Sequence, residues 1–196
     1  RPAYRYVRGG TGISVGGNAS PNLLNNIIVN HTTGVSVAAS SSSTVIGGSL
    51  YQRNGQNVLG NGVGQFPLII NENVPLFIDP GAGNLYPVKG ARLIDSSIDS
   101  LEDRSALLAV KQPVGLAPSP IIAPRIDITG QLRVDDPSII ALPGIGESVF
   151  KDRGAFDRSD FVGPSAFALN PLDNDALGRD RNRTVGIIEV VGQTFQ

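Results

Sequence analysis

Thr11-Gly12-Ile13-Ser14-Val15 returns almost letter for letter as Thr33-Gly34-Val35-Ser36-Val37, an offset of 22 residues between positions 11 and 33. Carried forward, that offset lays Leu23-Leu24-Asn25-Asn26-Ile27-Ile28 over Val45-Ile46-Gly47-Gly48-Ser49-Leu50. Apolar pairs then fall on apolar pairs, and a polar corner falls on a glycine corner. Self-similarity at such a period is the signature of a solenoid, in which each unit buries its apolar face only by stacking on the next. The spacing predicts two coils of one stack, with Ile13 under Val35. A third, looser coil is expected through Asn57-Val58-Leu59 and Phe66-Pro67-Leu68-Ile69-Ile70, with Asn54-Gly55 and Asn61-Gly62 as turns.

The material between the apolar pairs supports stacked strands. From Gly9 to Asn71 the only charged side chain is Arg53, and the gaps are filled by Asn, Ser, Thr and Gly. In a parallel stack, like positions lie about 4.8 Å apart, where repeated like charges repel and asparagine amides can bond in ladders. A leucine-rich repeat is the competing solenoid, but it needs regularly spaced leucines and a helical or tight return segment. Here the apolar positions are largely Ile and Val, and Ala38-Ala39-Ser40-Ser41-Ser42-Ser43 is a poor helix. The fold class expected is all-β, a parallel β-helix solenoid.

Composition agrees. Charged residues are 17% of the chain, and 24 glycines and 14 prolines among 196 residues mark a turn-rich, strand-rich protein. Residues 1–71 carry four basic and no acidic side chains, whereas residues 72–196 carry twelve basic and seventeen acidic ones. A net charge of −1 therefore hides a positive front and a negative back. Four scattered arginines make no basic stripe, so nucleic acid is not an expected partner. The absence of cysteine excludes disulfides and thiolate metal sites. No apolar run approaches the ~20 residues of a membrane span. With Arg1 rather than Met at the first position, a processed, excised or fragmentary chain is expected.

Beyond the repeats the chain resembles the extracellular right-handed parallel β-helix proteins of the pectate-lyase-like superfold. The residues that carry the likeness are the Gly-Ile-x-Val repeats, then Leu76-Phe77-Ile78-Asp79, Asn84-Leu85-Tyr86 and Gly90-Ala91-Arg92-Leu93-Ile94-Asp95, which is similar to the closing coil of bacterial surface proteins of this kind. Asp127-Ile128-Thr129-Gly130-Gln131-Leu132-Arg133 and Asp152-Arg153-Gly154-Ala155-Phe156-Asp157 resemble the Asp-x-x-Gly-x-x-Arg and Asp-x-Gly-Ala ending of the same proteins. Ala91-Arg92 departs from the usual small residue and proline, and the insertions 101–124 and 138–149 are long. The resemblance implies a right-handed β-helix with a loop-rich C-terminal cap, located outside the cell or on its surface, with a structural or adhesive role. The expected division is coils over 1–100, the cap over 101–160, and a linker with a terminal strand over 161–196. Val185-Gly186-Ile187-Ile188-Glu189-Val190-Val191 reads as a strand without a sequence neighbour, and could add head to tail to another copy of the chain. The alternative to self-association is continuation of both ends into flanking domains of one longer chain.

Candidate chemistry is sparse. Asp173, Asp175 and Asp180 with Gly178 suggest a calcium site, yet Leu177 and Thr184 stand where an EF-hand needs an oxygen ligand and a bidentate glutamate. A looser oxygen site competes with a solvated linker. No other cofactor is expected. Polysaccharide cleavage needs paired carboxylates, or calcium-holding aspartates beside a base. Residues 9–71 contain no carboxylate, and the single histidine, His31, sits in Asn30-His31-Thr32 as a turn residue. Asp135-Asp136 before Pro137 is a pair in sequence only. The chain is therefore expected not to be an enzyme, and carbohydrate binding or cleavage is the alternative. Asp127, Arg133, Asp152, Arg153, Asp157 and Arg158 read either as a ligand site or as Asp–Arg pairs that pin loops over the last coil; the latter is favoured. Asn18-Ala19-Ser20, Asn30-His31-Thr32 and Asn182-Arg183-Thr184 satisfy the glycosylation sequon, a weak signal by itself.

Overall fold

The computed structural model describes residues 9–98, 106, 109–110, 124–139 and 151–160. The repeated stretch forms β1 (Thr11–Val15) and β4 (Thr33–Val37), which pair in parallel with Ile13 opposite Val35 and Val15 opposite Val37. β7 (Gln56–Gly60) adds to β4 with Val35 opposite Val58. Between them run β2 (Asn22–Leu24) and β3 (Ile27–Val29), then β5 (Val45–Gly47) and β6 (Leu50–Gln52). β8 (Val63–Gln65) and β9 (Leu68–Ile70) complete the third round. The strands distribute in rotation among three parallel sheets, β1-β4-β7, β2-β5-β8 and β3-β6-β9. The protein is thus built of stacked parallel strands, each pairing with the strand three further along.

The stacking period is not constant. β1 and β4 are offset by 22 residues, but Leu23 pairs with Ile46 and Ile27 with Leu50, an offset of 23; Val45 then pairs with Val63 and Leu50 with Leu68, an offset of 18. The expected alignment of Leu23 with Val45 is therefore one residue out. All of the variation sits at one corner, between the first and second sheets. Six residues (16–21) turn it in the first round, seven (38–44) in the second, where Ala39–Ser41 form a 3-10 turn, and two (61–62) in the third. The next corner always takes two residues, Asn25-Asn26, Gly48-Ser49 and Phe66-Pro67, and its first residue is always left-handed, with φ of 54°, 60° and 54°. A left-handed residue turns the chain sharply without lengthening it, and Asn and Gly adopt that conformation at least cost. Because the corner column reads Asn, Gly, Phe, no asparagine ladder forms along it.

Side-chain alternation divides the apolar residues between an inside and an outside. Ile13, Val15, Val35, Val37 and Val58 of the first sheet face Leu23 and Ile46 of the second and Ile28 and Tyr51 of the third, in one interior cluster. Each such buried side chain contributes about 1.5–3 kcal/mol. The outer faces are covered as well. Leu50, Leu68 and Ile70 pack beneath Leu76, Ala91, Leu93 and Ile94, and Val45 packs against Ile98. This is why β5 and β6 are buried at every position and read as continuous apolar runs. The covering chain includes β10 (Phe77–Asp79) and β11 (Asn84–Pro87), an antiparallel pair closed by a 3-10 turn at Pro80–Ala82, where the Asp79 carboxylate accepts from Ala82 N. The hairpin and the turns after it, the stretch that resembles a closing coil, lie along the flank of the stack. Among the described residues no further round stacks on the third, where Ile69 is 47% exposed.

Candidate functional site

The conserved geometry of the two-residue corner creates a seam along the stack, and three separate segments converge on it. Asn25, left-handed and buried, offers both ends of its amide to one residue: Nδ2 donates to Ile98 O at 2.8 Å and Oδ1 accepts from Ile98 N at 2.9 Å. One round further, Gly48 leaves room for that contact, since a Cβ there would lie 2.5 Å from Asn25 Oδ1. Gly154 N then donates to Asn25 O at 2.9 Å, while Arg153 Nε donates to Ser96 O at 2.8 Å and Ser96 Oγ at 3.0 Å. Arg153 Nη1 reaches Phe66 O at 3.4 Å. Residues 151–154 thereby strap the corner from Asn25 of the first round to Phe66 of the third.

Carboxylates hold the strap through backbone N–H groups. Asp152 Oδ1 accepts from Asp95 N at 2.9 Å and its Oδ2 from Arg158 N at 2.8 Å. Asp95 Oδ2 accepts from Asp136 N at 3.2 Å. Asp157 accepts from Asp152 N at 3.1 Å and from Val134 N at 2.8 Å, and Asp127 Oδ2 accepts from Asp157 N at 3.2 Å. Asp127 Oδ1 closes its own loop by accepting from Thr129 N at 2.8 Å and Gln131 N at 3.1 Å. Ion pairs between described residues join Arg133 with Asp157 at 3.4 Å, and Arg158 with Asp136 at 2.5 Å and Asp160 at 2.8 Å. Tyr86 on β11 ties in the hairpin, its hydroxyl accepting from Ser159 N at 2.7 Å and Asp160 N at 3.0 Å.

Burial sets the electrostatics. Asp95 is pushed up to about 7, first by desolvation, then by the charge of Asp135, with the Asp136 N–H acting the other way. Asp152 and Asp157 are raised, chiefly by desolvation. Each accepts two backbone N–H groups, which act the other way, and Arg133 beside Asp157 further favours the charged form there, whereas Asp152 has no described cation paired with it. Desolvation also acts on Asp136, but the N–H and hydroxyl of Ser138 and the Arg158 guanidinium outweigh it and hold it below the usual carboxylate range. Arg153 is lowered to about 10 by burial and by Arg92.

The six charged residues singled out in the sequence are all buried and meet in this network, although two partnerships differ from simple Asp–Arg pairing. Asp152 faces N–H groups, and Arg153 faces Ser96. Asp136 turns inward while Asp135 stays exposed, so the two do not present a carboxylate pair. Asp95 was missed as a central residue; its only sequence signal is an acid ending the apolar run Leu93-Ile94. His31 is a corner residue, its N–H donating to Asn54 Oδ1 at 3.0 Å. Asp173, Asp175 and Asp180 lie outside the described residues, as do Tyr4 to Arg8 and Val185 to Val191. Among the described residues no group of three His, Asp or Glu is arranged to hold a metal, and no helix is long and apolar enough to cross a membrane.

A groove of about 580 Å³ borders the strap. It is lined by Ile27 and Val29 of β3, Phe77 and Leu85 of the hairpin, and Ala155 and Phe156. Compared with known protein families, curated proteins and solved structures, the chain matches none of them.

Proposed function

We propose that the chain is a right-handed parallel β-helix segment of an extracellular or cell-surface protein, with a structural or adhesive role. The observation that carries this reading is the use made of the charged side chains. Asp95, Asp127, Asp152 and Asp157 accept backbone N–H groups of neighbouring segments, and Asp136 accepts that of Ser138 in its own loop, so most of their polarity goes into holding the flanking segments to one another. Right-handedness is supported by the strong preference of parallel crossovers for that hand. Rotation of the strands through three sheets supports a closed coil. Among the described residues no strand pairs with the outer edges of β7, β8 and β9, and Ile69 is exposed there, which suits association with another copy or a further domain, the former through Val185 to Val191 adding as a strand. Calcium at Asp173, Asp175 and Asp180 would stiffen the segment leading to that strand.

Carbohydrate binding is the second reading, and the groove beside the strap favours it, because Phe77 and Phe156 supply aromatic surface for a sugar ring. Incubation with acidic and neutral polysaccharides separates the two. The structural reading expects no new reducing ends, no unsaturated products and no retention on the polymers. Product formation or retention that Phe77→Ala abolishes would replace it with the carbohydrate reading.

A further inference from the structure

The seam contains more buried acid than its ion pairs account for. Asp95 and Asp152 are 1% and 2% exposed, and neither is in an ion pair with a described cation. Asp95 Oδ1 is buried without a hydrogen-bond partner. An ionised carboxylate with a bare oxygen in such a place is costly, and protonation removes the cost. The groups that face the two are mostly acidic. Asp95 meets Asp135, Asp136, Asp152 and Asp157; Asp152 meets Asp95 and Asp157. The nearby cations are engaged elsewhere: Arg133 with Asp157 and the carbonyls of Asp152 and Gly154, Arg158 with Asp136 and Asp160, and Arg153 with Ser96. The buried Lys151 offers its carbonyl to Ser97 N.

We propose that residues 151–160 form a proton-dependent latch, closed on the corner seam while Asp95 and Asp152 carry protons and loosened when they ionise. This goes beyond the structural role and does not depend on what the surface contacts. The geometry gives the latch its reach. Asp152 joins the strap to the Asp95 turn beside the backbone bonds from Ser97 N to Lys151 O and from Arg153 N to Leu93 O, and Asp95 in turn holds Asp136, so ionising both places two charges without a described counter-ion at the junction of three segments.

The sign follows from linkage. In the unfolded chain these carboxyls lose their protons near ~3.9. In the folded chain Asp95 keeps its proton to about 7, and Asp152 is raised too. The folded state therefore binds more protons between those limits. Stability from these groups is complete below the unfolded value and is lost as pH rises through the folded one. Asp136, held low, acts oppositely and loses its contribution as pH falls through the acid range. The latch is tightest in mild acid.

Carboxyl-carbon NMR of aspartate-labelled full chain, with hydrogen exchange corrected for intrinsic rates, tests this directly. Asp95 is expected to titrate near neutrality. The amides of Asp95, Asp136 and Arg158 should lose at least tenfold in protection between pH 5 and pH 8, while those of Val35 and Tyr51 keep theirs. Asp95→Asn and Asp152→Asn should each flatten this dependence. Asp135→Asn, an exposed change that leaves the buried network in place, should move the Asp95 midpoint to lower pH. Titration of both Asp95 and Asp152 at the ordinary aspartate value, equal protection at pH 5 and pH 8, or an Asp95 midpoint indifferent to Asp135→Asn would overturn the latch.

Discussion

Replacing Val35 by Asp places the heaviest demand on the stacked-strand architecture. Val35 is fully buried, between Ile13 and Val58 in register, and faces the interior cluster. Losing the valine removes about 2 kcal/mol of burial. The cluster around Val35 is apolar apart from the Tyr51 hydroxyl, and burying an aspartate carboxyl there in its neutral form costs about 2 kcal/mol more. Keeping it neutral at pH 7, roughly three units above its unfolded value, adds about 4 kcal/mol at ~1.4 kcal/mol per unit. The sum, about 8 kcal/mol, is comparable with the whole stability of a domain. Urea unfolding followed by far-UV circular dichroism should show Val35→Asp largely unfolded without denaturant. Ser36→Asp, one residue along on the opposite, half-buried face between Ser14 and Leu59, should shift stability by no more than about 1 kcal/mol. Equal midpoints for the two variants would refute the inward and outward assignment, and with it the stacked core.

Two further changes probe the seam. Asn25→Ala leaves Ile98 N and O without partners and requires alanine at φ 54°, so a loss of about 3 kcal/mol is expected by denaturant titration; a change under about 1 kcal/mol would mean that the amide does not hold Ile98. Arg153→Met keeps the bulk of a fully buried side chain but strands Ser96 O, and should expose residues 151–160 to protease while the coils resist. Uniform digestion of strap and coils would contradict their separation. Together with the pH dependence of the latch and the polysaccharide test, these cover the core, the seam and the surface.

The coils were legible because their signal is local and repeated. Thr11–Val15 and Thr33–Val37 share letters, so their pairing follows from the sequence, and the scarcity of charge between Gly9 and Asn71 reports a stack that would repel it. The third round at Val58 and Leu68 was also readable. Exact register was not, because a single extra residue at the variable corner moves every later strand by one, and nothing in the letters 38–44 says whether the turn or the strand absorbs it. The charged residues of the cap could be gathered as a set from their Asp and Arg motifs. Their partners could not, since Asn25 binds Ile98 and Asp95 binds Asp152 across 73 and 57 residues of chain. Sequence thus determined the repeated strand and the column on which it stacks, because each rests on neighbours one period away. Only the tertiary structure decided that the hairpin and strap lie along the flank, because their placement depends on a corner of constant shape, left-handed at Asn25, Gly48 and Phe66, which distant segments come to cover.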